Sequence, residues 1–365
     1  MSIKHCPLSI VHCPLSILHS SMRFSIRLNN DLTIPEYVAL AQAAEKFGFN
    51  QFWVSHDLFF RSAPVILAAL AQATTRIEIG TCVLNPYTLN PAEIAMLAAT
   101  LDELSGNRFH LGLAAGARDF LEWVGIAQNH PLDAMRETIH ALRALQNGER
   151  VTWDGTFLHW TNEAYLRFRA PRVTPIYVGA LSPKMLALAG ELADGVLPLL
   201  FPPEHYFTVK PLIEQGLAVR HQPAAVRAFD FAACIWVSLS DDAKAARRVL
   251  AQKIAYYGHA LSPLIWSRLN LTRADFEPIA HAMMVERDEE KAISLVDERM
   301  LNIGVVGTAE DVITRLEPLV NAGVTHLSFG PPLGPDLVSA IELLGTRVLP
   351  YFRTEGWGAK NETLG

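Results

Sequence analysis

The side chains of this sequence that could do chemistry are few, and they follow predicted β-strands. His56-Asp57 comes directly after the apolar run Gln51–Val54 and is the one histidine–carboxylate pair at a predicted strand end. Adjacent side chains on an extended chain point in different directions, so this pair is not by itself an acid–base dyad. Two interpretations stay open: the pair takes part in acid–base chemistry, or it caps the helix that follows.

Small residues after another predicted strand form a candidate anion site. In the run from Gly179 to Lys184, glycine and alanine leave a strand and Pro183 begins a helix. Free backbone N–H groups and the positive end of the helix dipole then face outward, which favours a phosphate. A second glycine-rich run, Gly330–Asp336, is predicted as a loop before the final helix and favours the same ligand. The side chains that could line such a pocket are Arg61, Arg118, Lys184 and His326.

Several classes of function are disfavoured by what the sequence lacks. It has no G-x-S-x-G elbow, H-E-x-x-H motif, Walker loop or clustered histidines, so we expect no bound metal. The formal charge is −6 without a basic run, and no apolar stretch is long enough to cross a bilayer, so we expect neither a nucleic-acid nor a membrane partner. The 4 scattered cysteines indicate a reducing, cytoplasmic location.

The elements that position these residues alternate between strand and helix. This alternation predicts parallel strands with right-handed crossovers, and hence a (β/α)₈ barrel rather than the rival open, doubly wound sheet. An Asp154-Gly155 hairpin interrupts the alternation, and a helical insertion, Gly258–Asn302, precedes the last strand. Functional residues of such a barrel gather at the carboxyl ends of its strands. The eight predicted strands are Phe24–Leu28, Gln51–Val54, Ile77–Leu84, Phe109–Leu113, Ile176–Val178, Gly195–Leu199, Phe229–Leu239 and Val324–Phe329.

Three segments are predicted along the chain. Residues 1–21 contain the direct repeat HCPLSI and are expected to be a disordered leader or an over-extended start. Residues 22–352 are expected to form the barrel domain, and residues 353–365 a C-terminal tail.

Four motifs carry a resemblance to a known family. GTCVLNPYTLNP, ATLDELSGNRFHLGLAAG, PIYVGALSPKMLALAGELADGVL and SFGPPLGPD occur in this order. Together they resemble the luciferase-like monooxygenase superfamily, and within it the branch that uses the deazaflavin coenzyme F420, typified by methylenetetrahydromethanopterin reductase. The resemblance implies a bacterial-luciferase-like barrel, a homodimer and hydride transfer between coenzyme F420 and a small organic substrate.

The resemblance also implies which residues hold the coenzyme. A non-proline cis peptide at Cys82–Val83 would back the ring, and the loop after Phe109–Leu113 would approach the ring edge. The Gly179–Ser182 loop would hold the coenzyme phosphate. The implied coenzyme-binding residues are Thr81, Cys82, Val83, Asn85, Ala115, Gly116, Gly179, Ala180, Leu181 and Ser182.

Departures from the family pattern leave the general acid open. Relatives carry Asp-His where this chain has His56-Asp57, and an acid where it has Ala117, with Asp119 two residues on. Arg27 replaces an acid of the pterin reductase, which weakens the pterin as the expected substrate. The candidate general acids are therefore His56, Asp57 and Asp119. The alternatives are an FMN-dependent monooxygenase that uses reduced flavin and oxygen, and a non-catalytic flavin-binding protein.

Overall fold

Strands and helices alternate along the chain, and the computed structural model describes them for residues 22–220, 228–261 and 263–353. The predicted leader, residues 1–21, and all but the first residue of the predicted tail lie outside these described residues. The strands within them are β1 (Arg23–Leu28), β2 (Gln51–Val54), β3 (Glu78–Thr81), β4 (Phe109–Leu113), β5 (Val151–Asp154), β6 (His159–Ala164), β7 (Ile176–Val178), β8 (Gly195–Val196), β9 (Asp230–Phe231), β10 (Ala233–Leu239), β11 (Val305–Gly307) and β12 (His326–Leu333).

The α-helices of the described residues lie between and after these strands, and most of them cover the sheet. They are α1 (Ile34–Lys46), α2 (Ala63–Ala73), α3 (Pro91–Leu104), α4 (Arg118–Trp123), α5 (Pro131–Gln146), α6 (Pro183–Leu192), α7 (Tyr206–Ala218), α8 (Ala243–Tyr257), α9 (Pro263–Arg268), α10 (Arg273–His281), α11 (Glu289–Ser294), α12 (Glu298–Leu301), α13 (Ala309–Asn321), α14 (Leu337–Leu343) and α15 (Leu349–Arg353). None of the helices in this part of the chain is both long and apolar enough to cross a membrane.

The α/β class is confirmed, and the main sheet is parallel and curled. Its order is β11-β10-β12-β1-β2-β3-β4-β7-β8-β9, and β5 and β6 form the separate antiparallel hairpin that the sequence predicts. The sheet has ten strands instead of the eight predicted. The predicted strand Phe229–Leu239 is divided at Ala232 into β9 and β10, and β11 is too short to show a periodic pattern. β12 also extends through Leu333, so half of the loop predicted at Gly330–Asp336 is strand.

Local sequence signals explain where several helices begin. Asn90 Oδ1 accepts the Ala92 N–H at 2.9 Å, and Pro91 occupies the first turn of α3. At α13, Thr308 and Asp311 form a capping box. The parallel pairing of the strands places the loops before these helices at one edge of the sheet.

The residues of three apolar clusters form the core, the smallest of them around Trp53 inside the sheet. The largest cluster fills the space between the sheet and the surrounding helices. The second one lies in the predicted insertion, where Trp266, Phe276 and Ile279 pack against Leu250 and Ile254 of α8. The insertion is helical, as the sequence predicts, and α8 joins its core to the sheet.

Charged and polar side chains fill the sheet interior at the amino ends of the strands. Asp230 accepts a hydrogen bond from the Tyr177 hydroxyl at 2.7 Å and pairs with Arg23 and His326. Burial alone would raise the pKa of Asp230, but His326 and Arg23 hold it well below its usual range. His326 is fully buried here, so its expected place in an anionic pocket at the opposite end was wrong.

Candidate active site at the carboxyl ends of the strands

The backbone leaves the regular path of β3 directly after Thr81. The Cys82–Val83 peptide bond is cis. The chain rejoins the sheet at Leu84, whose N–H donates to Gly112 O at 2.9 Å and whose carbonyl accepts the Ala114 N–H at 2.9 Å. The Cys82 N–H still donates to Val54 O of β2 at 2.8 Å, so Cys82 and Val83 form a short step between two points that are hydrogen-bonded to neighbouring strands.

Thr81 holds this step against β4. Its Oγ1 donates to Gly112 O at 3.0 Å and accepts the Gly112 N–H at 2.9 Å. The side chain is fully buried. Its hydroxyl therefore ties two strands together, and any contact that Thr81 makes with a ligand has to come from elsewhere in the residue.

Small residues directly after β4 and β7 pack closely against Val83. A Cβ added at Gly179 would lie 3.1 Å from Val83 Cγ1 and 3.3 Å from Ala114 Cβ. These contacts are tighter than side chains normally make. The structure thus brings the ends of β3, β4 and β7 together, as the resemblance implies.

Two side chains shape the loops around Gly116. Asn85 Oδ1 accepts the N–H groups of Tyr87 and Thr88 in the loop after β3 at 3.1 and 2.9 Å, and its Nδ2 lies beside Gly116 in the loop after β4. Gln128, which the sequence did not single out, donates from Nε2 to Ala115 O and Gly116 O, both at 2.8 Å. Gly116 has φ +82°, a conformation that favours glycine.

The loop after β7 has the form of a helix N-terminus. Ser182 Oγ accepts the Met185 N–H at 3.4 Å and caps α6, while Pro183 begins the helix. Ala180 is buried, whereas Leu181 is 63% exposed. The Ser182 oxygen accepts in the cap and its O–H stays available as a donor, so the hydroxyl and the backbone N–H groups of this loop can both serve an anion.

His56 and Asp57 have different environments although they are neighbours. His56 Nδ1 accepts the Ala63 N–H at 3.2 Å, which favours a neutral ring with its proton on Nε2, and burial lowers the pKa of His56. His56 thus makes the helix cap that the sequence left open. Burial raises the pKa of Asp57, with Lys253 acting against the rise. The carboxyl group of Asp57 is therefore biased towards its protonated form.

Asp119 is more exposed to solvent than His56 and Asp57. It lies in the first turn of α4 and is exposed, as are Ala117 and Arg118. An exposed carboxyl group has no protection from solvent, which suits a general acid less well than Asp57.

The thiol of Cys82 is unsuited to nucleophilic chemistry. Burial raises its pKa to about 12, although the charge and a hydrogen bond of Arg27 act in the opposite direction. A thiol in that state is protonated near neutral pH. Cys82 and Val83 pack against a cluster that contains Trp53, Tyr177 and Cys234.

Two cations that the sequence did not bring together lie on the β1 side of this site. Arg27 points inward from β1 and is 7% exposed. Lys253 reaches over from α8, with Nζ 5.3 Å from the centre of the Trp236 ring and 4.1 Å from that of Tyr257. Only Arg27 stood out in the sequence, because it stands where the pterin reductase has an acid. Lys253 lies within an ordinary amphipathic helix and carries no such signal.

No group of three or more His, Cys, Asp or Glu side chains in the described part of the chain is arranged to hold a metal ion. What the site does offer is a small-residue wall, a step at Cys82–Val83, a helix N-terminus and the half-buried carboxyl group of Asp57. These features suit a planar, phosphate-bearing organic molecule better than a metal.

Comparisons with known proteins agree over most of the chain. The profile of a family described as luciferase-like monooxygenase matches residues 18–326. A 5,10-methylenetetrahydromethanopterin reductase from Archaeoglobus fulgidus is 34% identical over 336 residues, which cover 91% of this chain and 100% of that protein. The solved structure of a coenzyme F420 dependent tetrahydromethanopterin reductase from Methanopyrus kandleri has a TM-score of 0.83 at 29% identity, and the match covers 91% of this chain and 99% of that one.

A more distant similarity concerns a flavin enzyme. The oxygenating constituent of 3,6-diketocamphane monooxygenase from Pseudomonas putida, solved in complex with FMN, has a TM-score of 0.65 at 18% identity, and the match covers 90% of this chain and 98% of that one. At this identity the likeness shows a shared fold alone.

Proposed function

Since the chain belongs to the luciferase-like monooxygenase family, we propose that it is a coenzyme F420-dependent oxidoreductase that acts on a small organic substrate. The observation that carries the proposal is the small-residue wall at the ends of β3, β4 and β7, next to Val83. The Methanopyrus kandleri enzyme, whose structural match covers 91% of this chain, is itself described as coenzyme F420 dependent.

The sheet closes, in this proposal, into an eight-stranded barrel with β11 attached outside. Two hydrogen bonds at and just after Ala232 support the closure. The Ala232 N–H donates to Val196 O at 3.1 Å, and the Leu200 N–H donates to Cys234 O at 2.9 Å. β10 continues from β9 and pairs with β12, so one nearly continuous strand links the two ends of the sheet order.

The residues present fit the coenzyme. The step at Cys82–Val83 would support one face of its ring, with Asn85, Ala115 and Gly116 at the ring edge. Backbone N–H groups from Gly179 to Ser182, including Ala180 and Leu181, would hold its phosphate at the start of α6. Thr81 positions this support through its bonds to Gly112.

Bound coenzyme F420 supplies a hydride donor or acceptor, and the protein supplies position and a proton. Asp57 is the proposed general acid, because burial favours its protonated form. His56 is proposed to position the loop through its bond to Ala63, with Nε2–H left as a donor. Asp119, being exposed, is the third candidate.

Three further properties belong to the same proposal. Residues 22–352 form the catalytic domain, residues 1–21 are a leader or an over-extended start, and residues 353–365 are a tail. The enzyme works as a homodimer in the cytoplasm. Size-exclusion chromatography with light scattering tests the dimer directly, and a monomeric mass at micromolar concentration would contradict it.

Titration of the purified chain with oxidised coenzyme F420 and, separately, with oxidised FMN tests the coenzyme. We expect saturable quenching of coenzyme F420 fluorescence with much weaker binding of FMN. Tight binding of FMN without binding of coenzyme F420 would overturn the proposal.

The second candidate is an FMN-dependent monooxygenase, which the shared fold with an FMN-bound oxygenase favours. The two functions differ in their use of oxygen. Oxygen uptake in the presence of reduced FMN and absent with reduced coenzyme F420 would support the monooxygenase.

A further inference from the structure

Arg27 has unused hydrogen-bonding capacity inside the protein. Its side chain is 7% exposed, and its Nε and Nη2 atoms are buried without a hydrogen-bond partner among the described residues. Leaving donors of a buried charged group unpaired is costly, so such groups are normally satisfied by a partner or a ligand. The Arg27 charge acts on the nearby Cys82 thiol, and a thiol is a weak acceptor that cannot satisfy these donors.

A chain of contacts across three strands relates Arg27 to Lys253. The Arg27 guanidinium lies where a Cβ of Gly330 would be, so it passes over β12. Gly330 is paired in register with Trp236 of β10, and the Lys253 ammonium lies over the Trp236 ring. The two cations are therefore near enough for Arg27 to act electrostatically on Lys253, with Arg27 beside Gly330 of β12 and Lys253 beside Trp236 of β10.

The charges around this pair leave both cations available. None of the described carboxylates lies within ion-pair distance of Arg27 or Lys253. Asp31 and Asp57 act on Lys253 from farther away, and Tyr257 covers it on one side. Two unpaired cations at one partly enclosed place attract an anion, and a guanidinium with free Nε and Nη2 matches a carboxylate or phosphate in a bidentate way.

This place differs from the proposed phosphate loop of the coenzyme. That loop follows β7, and β2, β3 and β4 separate β7 from β1 in the sheet order. The coenzyme phosphate and the Arg27–Lys253 pair thus lie on different sides of the site, with Cys82 and Val83 between them. The anion that the pair binds is therefore a second one.

We infer that Arg27 and Lys253 bind an anionic group of the substrate, a carboxylate or a phosphate, on the side of the site opposite the coenzyme phosphate. This rests on the proposed function, and it narrows the substrate to small organic molecules that carry such a group. Arg27 supplies the directional hydrogen bonds, and Lys253 supplies a charge from the helix that anchors the insertion.

The test is calorimetric titration of the full chain, with and without bound coenzyme F420, using inorganic phosphate in one series and acetate in the other. The variants are Arg27→Gln and Lys253→Gln, with Lys210→Gln on the outer surface of α7 as the matched control. We expect saturable binding of at least one anion, and each site substitution to weaken it about tenfold or more. The control substitution changes it by no more than about twofold.

The two series also separate the possible sources, because acetate stands for a carboxylate and phosphate for a phosphoryl group. Coenzyme F420 affinity, measured by fluorescence on the same variants, reports the proposed function independently. Wild-type protein that binds no coenzyme F420 would refute the function, whatever the anion data. Three results would overturn the inference itself: no saturable anion binding, binding that both substitutions leave intact, or displacement of coenzyme F420 by the anion. If circular dichroism shows that Arg27→Gln does not fold, Lys253→Gln decides, since Lys253 is only partly buried.

Discussion

Thr81 and Gly112 bond to each other twice, through the hydroxyl of one and the two backbone polar groups of the other. The Gly112 N–H donates to Thr81 Oγ1 at 2.9 Å, and Oγ1 donates to Gly112 O at 3.0 Å. Because a Cβ at position 112 would collide with the Thr81 carbonyl, the two strands approach this closely only at a glycine. The step at Cys82–Val83 starts from this attachment.

We expect Thr81→Val to lower the free energy of unfolding by about 1–3 kcal/mol, because the buried Gly112 N–H loses its acceptor. Urea denaturation followed by circular dichroism measures the change. Thr100→Val is the control, since Thr100 bonds to Met96 O on an exposed face of α3. Equal losses for the two variants would mean that the pairing with Gly112 is unimportant.

We expect Gly179→Val to weaken coenzyme F420 binding by about tenfold or more, equivalent to about 1.4 kcal/mol. The added side chain would press against Val83 and Ala114 and occupy the small-residue wall. Fluorescence quenching measures the dissociation constant. Gly148→Ala is the comparison: with φ +83° and open space around it, it should cost stability and leave coenzyme affinity unchanged.

We expect Asp57→Asn to lower the rate of substrate turnover by about a hundredfold, because an amide cannot donate the proton. The protonated form is the active one, so wild-type activity should fall as the pH rises through the raised pKa of Asp57. Asp119→Asn is the matched change on an exposed carboxylate. A larger loss in Asp119→Asn than in Asp57→Asn would reverse the assignment.

Anion binding at Arg27 and Lys253 should depend on pH. Burial lowers the pKa of Lys253 to about 8, with Asp31 and Asp57 opposing the effect and Arg27 adding to it. The ammonium form binds the anion, so affinity should be full below this pKa and decline above it. Calorimetric titration with inorganic phosphate or acetate from neutral to alkaline pH measures the decline. In Lys253→Gln this decline should disappear, and its persistence would implicate another group.

Asp102 stabilises the turn into β4 from within the core. It is fully buried and accepts two hydrogen bonds from Arg172 at 2.7 and 2.9 Å. Asp102→Ala removes both bonds and leaves the partly buried Arg172 with its bond to Phe109 O, so we expect a loss of about 1–3 kcal/mol in unfolding free energy. Asp154→Ala, on a side chain that is 96% exposed, should change it by less than about 0.5 kcal/mol. A small loss in Asp102→Ala would show that Arg172 finds another partner.

Periodic and capping signals sufficed to predict most of the fold. The apolar runs of β1, β2 and β4 and the caps of α3 and α13 are encoded locally, so their positions followed from short stretches of sequence. β11 was missed because three residues carry no periodicity, and β12 was predicted too short because Pro331 and Pro332 read as loop.

The site was predictable only in part, for a related reason. The small residues of the ring wall stand in contiguous motifs, and the structure brings Val83, Ala114 and Gly179 together. Lys253 meets Arg27 only through the curl of the sheet and the angle of α8, which no local pattern encodes. The polar layer around Asp230, which contains His326, likewise depends on long-range strand order.

The insertion has a further consequence for how such a protein changes over evolutionary time. Its helices have their own apolar cluster and meet the sheet through α8, the helix that carries Lys253. The wall proposed for the coenzyme comes instead from β3, β4 and β7. Replacements in the insertion can therefore reshape what faces Lys253 while Val83 and Gly179 stay in contact with the same neighbours. The half of the site near the insertion can therefore change its substrate specificity, whereas packing constrains the residue types of the other half.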